Sequence, residues 1–206
     1  MSAVNHSRSR KDEIVALGET LIRTQGCNAF SYYDLADALD LRPAAIHYHF
    51  PHKNDLLTAV AATAEENFRH TAAEIELQHA SPADRLRAFI KRMYQQPAGE
   101  GKLCIVLALG SDYNTLPPTC SEALRKTATA ILEWLATVLA AGREQKKFSF
   151  KGSPRSRAQL MLAALSASLP LSRLYGKRIF TEIQQQLLHD IMVQPPAKRR
   201  SVSPKK

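Results

Sequence analysis

The chain is poor in the features that would mark it as secreted, membrane-bound or catalytic. Its three cysteines, Cys27, Cys104 and Cys120, are odd in number and widely spaced. They form neither a disulfide framework nor a CxxC zinc pair. No run of about 18 apolar residues occurs, so nothing spans a bilayer. The N-terminal MSAVNHSRSRKDE has neither an apolar core nor a cleavage pattern, which argues against secretion. A reducing cytoplasm is the expected location. No Gly-rich phosphate loop, paired carboxylates or nucleophile–base constellation stands at recognisable spacing, so no enzyme and no cofactor are expected. Carboxylates are scarce at one end only: residues 151–206 carry two Asp/Glu against eleven Lys/Arg, whereas residues 1–60 carry seven against six. The formal charge of +9 therefore favours polyanions in bulk without locating a surface that would hold one.

What is present is helical periodicity over nearly the whole length. In 206 residues with 45% apolar content, a sizeable core is affordable. KDEIVALGETLIRTQG places Ile14, Leu17, Leu21 and Gln25 on one face and stops at Gly26. Ser31 followed by Asp34 resembles a capping box, so a second helix should begin at Tyr32 and bury Leu35, Ala36 and Leu39. Asp40–Leu41–Arg42 makes a tight turn, and Pro43 suits the first position of a third, short helix ending near His49. Pro51 terminates it. A long helix restarts near Asn54 with Leu56, Leu57 and Val60 inward. Beyond it, helices are predicted from Ser81–Pro82, over the apolar LCIVLALG, from Thr119 after Pro117–Pro118, from Ser153–Pro154 with a bend at Pro170, and over Ile179, Ile183, Leu187 and Ile191. The segment after Pro195 reads as a disordered basic tail.

Residues 46–57, IHYHFPHKNDLL, raise the question of a metal site, because His47, His49 and His52 fall within six positions. Spacing argues against one. His47 and His49 lie on nearly opposite sides of a helix, and His52 sits beyond a proline. Ile46 and Phe50, four apart, instead anchor the helix to a core and leave His47 and Tyr48 on other faces.

The stretch FSYYDLADALDLRPAAIHYHFPHKNDLLTAV resembles the helix-turn-helix of TetR-type (TetR/AcrR) transcriptional regulators. The matching positions are Ser31, Leu35–Ala36, Ile46–His47–Tyr48–His49–Phe50 and Lys53, and the resemblance covers roughly residues 8–68. Two departures are His47 for the usual Tyr and Asp40 for the usual turn Gly. Asp tolerates a left-handed backbone better than most residues. The resemblance implies an all-α fold. A three-helix DNA-binding domain over 8–68, with its motif at 31–50, would precede a larger helical ligand-binding and dimerisation domain over 69–194 and a tail over 195–206. It implies a ligand-released repressor, acting as a homodimer on a near-palindromic double-stranded operator.

Candidate DNA contacts are Ser31, Tyr32, Tyr33, Arg42, Pro43, Ala44, Ala45, His47, Tyr48 and Lys53. Arg42 is the candidate base reader, because a guanidinium matches the O6/N7 edge of guanine; the alternative is a phosphate contact. Tyr32 and Tyr33 either reach phosphate through hydroxyl or backbone N–H or pack on the surface. Lys53 is expected to meet phosphate at the start of the following helix. Small residues Ala163, Ala164, Ser166, Ala167 and Ser168 suit either a dimer seam or an intrachain core. Phe89, Met93, Tyr94, Leu107, Tyr113, Trp134 and Tyr175 are candidate lining for a small-molecule effector pocket, a few true contacts among ordinary core residues. The segment GKLCIVLALGSDYNTLP resembles the branch of the family whose cysteine senses electrophiles. Cys104 is thus either a sensor in the pocket wall or a small buried apolar residue. A competing class is a helical dimeric interaction protein without DNA binding, which the near-neutral first 60 residues would suit.

Overall fold

The computed structural model describes residues 9–94 and 102–193, and within them the secondary structure is helical apart from one isolated bridge. The first helix, α1 (Arg10–Gln25), is opened by Ser9, whose Oγ accepts from the Asp12 N–H at 3.2 Å while Asp12 accepts from the Ser9 N–H. It closes at Gly26 with φ 100°. Its buried face is Ile14, Val15, Gly18 and Ile22, turned from the expected line; Leu17 and Leu21 are only half-buried. Gly18 explains the rotation. A Cβ there would lie 3.3 Å from Leu56 Cδ1, so the bare backbone lets a neighbouring helix approach closely.

Next come α2 (Tyr32–Ala38), α3 (Pro43–His49) and α4 (Lys53–Gln78). Asp40, between α2 and α3, takes φ 52°, the left-handed conformation the turn requires. Ile14, Ile22, Leu35, Ile46, Phe50, Leu56 and Val60 form one core. That core also draws in Ala108 and Leu109 of α6 (Ile105–Gly110) and Cys120 and Leu124 of α7 (Pro118–Glu144). Helix α7 begins one residue before the expected Thr119, because Pro118 itself fits the first turn.

The second core joins α4 and α7 to α5 (Pro82–Tyr94), α8 (Pro154–Tyr175) and α9 (Arg178–His189). Ser153 caps α8, its Oγ accepting from the Ser156 N–H at 3.0 Å, and Pro154 takes the first position as expected. One feature was not anticipated. FSFKGSP reads as a plain connection, yet Phe148 pairs antiparallel with Met192. The Ser149 N–H donates to the Ile191 carbonyl at 2.7 Å and the Val193 N–H to the Lys147 carbonyl at 3.0 Å. Phe148 is buried against Gly142, where a Cβ would fall 2.0 Å from its ring.

The two ends of α7 fix the long axis. Its first turn packs on the N-terminal core, where the Cys120 thiol contacts the Leu57 carbonyl and Thr58 meets Thr119 at 3.1 Å. Twenty-seven residues later, about 40 Å away at 1.5 Å per residue, lies the turn into α8. Helix α8 then returns, and Arg173 donates to the Arg23 and Thr24 carbonyls at the end of α1. No helix among the described residues is long and apolar enough to cross a membrane.

Candidate functional site

Local chemistry presents α3 as an exposed rod. Ser31 N–H and Oγ both donate to Asp34 Oδ2, at 2.6 and 2.7 Å, which fixes the start of α2. These bonds hold the Asp34 carboxyl below its ordinary value of 3.8. Downstream of the Asp40 turn, Arg42 stands at the N-cap of α3 and Pro43 at its first position. Ile46 and Phe50 are almost wholly buried and seat the helix. Arg42, Ala44, His47 and Tyr48 are exposed, Tyr48 at 83%, and Pro43 and Ala45 are partly so. The first turn of α3 and its outer face are therefore open to a partner. Tyr33, 74% exposed, and Ser31 stand at the start of α2.

The histidines do not converge. Among the described residues no group of three or more His, Cys, Asp or Glu side chains is placed to hold a metal. His47 Nδ1 lies 3.3 Å from the Pro51 carbonyl. Donating that bond requires the proton on Nδ1, so Nε2 can donate outward only when the ring is protonated. His52 opens α4, its N–H donating to Asp55 at 2.9 Å.

Two of the candidate contacts, Tyr32 and Lys53, have side chains that turn inward. The Tyr32 ring is buried, its hydroxyl has no protein partner, and burial pushes its pKa up to about 12. Its ring meets the edge of His47 with centroids 4.7 Å apart. Tyr32 thus packs against His47 with its hydroxyl buried. Lys53 turns inward. Its ammonium donates to the Phe30 carbonyl at 2.5 Å and sits 4.2 Å from the Phe30 ring centre. Burial lowers its pKa. Its side chain ties α4 to the loop before α2, and its backbone N–H lies in the first turn of α4.

A cavity of about 160 Å³ lies between the two cores, walled by Phe68, Phe89, Ile131 and Cys104 with Glu19, Arg23, Asn67, Thr71, Arg92 and Thr127. Of the residues predicted to line it, Phe89 and Cys104 do so. Leu107, on the short α6, packs against the second core instead. Tyr113 is exposed on a one-turn helix (Tyr113–Thr115), and Tyr175 is exposed where α8 ends. Trp134 borders a neighbouring groove and donates to Glu76 at 2.8 Å. The side chains of Met93 and Tyr94 lie outside the described residues. Sequence reasoning sought aromatics and so missed the polar wall. The only signal for it was Glu19 and Arg23 four apart, which also fits a solvated helix face. Arg23 Nη1 donates to Glu19 at 3.0 Å and Nε to the Leu103 carbonyl at 2.8 Å, and the Leu103 N–H returns a bond to the Arg23 carbonyl at 2.8 Å. The cavity therefore touches the helix that carries the α2–α3 unit.

With this geometry in view, the comparisons with known proteins are decisive. Residues 14–60 match the family described as bacterial regulatory proteins, tetR family, and residues 82–186 match the tetracyclin repressor-like C-terminal domain. The chain belongs to the TetR family. It is a DNA-binding transcriptional regulator, and the family is not enzymatic. Among solved structures, a TetR-family regulator from Agrobacterium tumefaciens is 29% identical, over 89% of this chain and 97% of that one, with a TM-score of 0.83. A TetR regulator from Legionella pneumophila is also 29% identical, over 90% and 99%, with a TM-score of 0.80. The reduced form of E. coli NemR, 18% identical over 92% and 100% at a TM-score of 0.75, shares the fold. No curated protein matches the sequence. In this TetR-family chain, α2 and α3 are the helix-turn-helix.

Proposed function

We propose that this regulator is a two-fold repressor that reads a near-palindromic operator with α3 and leaves it when a small effector fills the cavity. The observation that carries the reading is the division of α3 itself: Ile46 is wholly buried while Arg42, Ala44, His47 and Tyr48 face outward. An exposed seven-residue helix held by apolar anchors is the shape that enters a major groove. Arg42 would read a base edge, and Ser31, Tyr33, His47 and Tyr48 would engage phosphates. The functional units remain 8–68 and 69–194, with α4 continuous through both.

Dimerisation is supported by an uncovered apolar stripe. Helix α8 buries Ala158, Met161, Leu165, Ser168 and Leu169 within the chain. Ser168, one of the small residues expected at a seam, thus belongs to the intrachain core. Leu160 and Leu174 are 61% and 76% exposed, with Ala163 and Ala167 between them at helical spacing. A second copy covering this stripe buries apolar area that one chain leaves in water. Release is supported by the contact of the cavity with α1. A ligand beside Glu19 and Arg23 would disturb the Arg23–Leu103 bonds and shift the α1–α3 unit relative to α7, so that the two recognition helices of the dimer no longer match successive grooves. Cys104, 7% exposed, packs into the cavity wall. A salt-titrated gel shift on the chain's own upstream region tests the reading, because phosphate contacts impose a steep fall of affinity with salt. A flat salt response, or no shift at low salt, would favour the interaction-protein alternative.

A further inference from the structure

We infer that the cavity between the two cores takes a neutral phenol of one aromatic ring, an inference that rests on the reading of this cavity as the effector site. Size sets the first limit. At about 160 Å³, the space matches the roughly 150 Å³ void, lined by Leu, Ile and Phe, that accommodates benzene in another protein. Pockets for drug-sized ligands run to about 300–1,000 Å³, so a polycyclic compound is too large and one ring fits. Phe68, Phe89, Ile105 and Ile131 supply the apolar wall. The Phe68 and Phe89 rings stand edge to face, centroids 6.5 Å apart at 88°, and the Trp134 ring lies 5.4 Å from that of Phe89. An aromatic guest extends this cluster in a way a saturated ring cannot.

Charge sets the second limit. The ionised side chains in the wall are Glu19, Arg23 and Arg92, and each is already matched. Arg23 donates to Glu19 at 3.0 Å, and Arg92 pairs with Glu74. An ionised guest would leave water for the Phe68–Phe89 side with no uncommitted countercharge to meet it, which is costly. A phenol, with a pKa near 10 as in tyrosine, enters uncharged. Hydrogen-bonding capacity then selects the hydroxyl. Thr127, 1% exposed, gives its proton to the Ala123 carbonyl at 3.1 Å, so its oxygen can only accept from the cavity. The Glu19 carboxylate is likewise an acceptor and takes its bond from Arg23. Asn67 and Thr71 can donate or accept and so do not discriminate. Two acceptors in the wall of a small apolar space call for an O–H donor rather than an ether. A hydroxyl on Glu19 would also compete with Arg23, whose Nε holds the Leu103 carbonyl at 2.8 Å, and so would couple occupancy to α1.

The test titrates the full-length, DNA-free chain by calorimetry with phenol, anisole, cyclohexanol, benzoate and benzylammonium. Phenol should bind once per chain, roughly 2- to 10-fold more tightly than anisole, which lacks the donor. A similar factor, roughly 2- to 10-fold, should separate it from cyclohexanol, which lacks the aromatic face. Benzoate and benzylammonium should bind more weakly still. Thr127→Val, which removes the buried acceptor, should narrow the gap between phenol and anisole. Ala64→Met, which fills the space from the α4 wall, should abolish binding, and unfolding midpoints establish that both variants fold. The comparator series on the wild type decides the matter if either does not. Equal affinity for phenol and anisole, or for phenol and cyclohexanol, would overturn the inference. So would preference for a charged comparator, phenol binding untouched in folded Ala64→Met, or binding of none of the five by a chain that holds its operator. Release is read separately, by anisotropy of a labelled operator: phenol bound in the cavity with the operator retained supports the ligand class and contradicts the release mechanism.

Discussion

Replacing Arg42 by alanine isolates base reading from folding. The guanidinium is exposed at the N-cap of α3 and makes no capping bond, so the free protein loses almost nothing with it. Surface changes of this kind stay within about 0.5 kcal/mol. In the complex, a bidentate contact to guanine contributes about 1–3 kcal/mol of discrimination. At about 1.4 kcal/mol per tenfold, that is roughly a 5- to 150-fold weakening, confined to one base pair in each half-site. The assay is fluorescence anisotropy of the variant and wild type on the preferred operator and on a panel of single-position changes. The wild type should penalise substitution at one position, and Arg42→Ala should be nearly indifferent there while still discriminating elsewhere. Equal weakening on every sequence would show that Arg42 contacts only phosphate. A lowered unfolding midpoint matching the affinity loss would show that the side chain supports the fold, against the reasoning from its exposure. Ile46→Ala is the contrasting control: a fully buried anchor whose loss should cost about 2–5 kcal/mol of stability.

Lys53→Met should lower stability by about 1–2 kcal/mol through loss of the bond to the Phe30 carbonyl, measured by urea unfolding, and should leave the salt slope of operator binding unchanged. Asp34→Asn should destabilise the protein at neutral pH. Because the folded carboxyl titrates below its ordinary 3.8, the stabilisation is present above that value and fades as pH falls through the folded one; acid unfolding curves of variant and wild type should therefore converge there. Leu160→Glu on the exposed stripe of α8 should yield a folded monomer by light scattering, with operator affinity down at least tenfold, and a dimer of unchanged strength would remove α8 from the seam.

Local signals made the reading domain legible. Ser31 with Asp34, the Asp40 turn, Pro43 and the Ile46–Phe50 pair each act within four residues, and the structure realises each where the spacing places it. What escaped was non-local. The bridge from Phe148 to Met192 joins positions far apart in sequence, and no pattern in either segment announces its partner. On α8, apolar residues occupy two faces, so periodicity finds the stripes without showing which one the chain itself covers. Lys53 lay at a position where the resemblance implied phosphate, but the Phe30 carbonyl and ring beside it offer a partner no motif records. Aromatic residues do not single out the cavity, whose distinguishing wall is the Glu19–Arg23 side of α1, brought there by the fold.

On the proposed reading, α3 enters the major groove from each half of a two-fold dimer. Selection of bound duplexes from a random pool tests it most directly. An enriched inverted repeat is expected, with half-site centres about 34 Å, or about ten base pairs, apart or a multiple of that. Recovery of no common sequence, or of one unpaired motif with no symmetric mate, would contradict it.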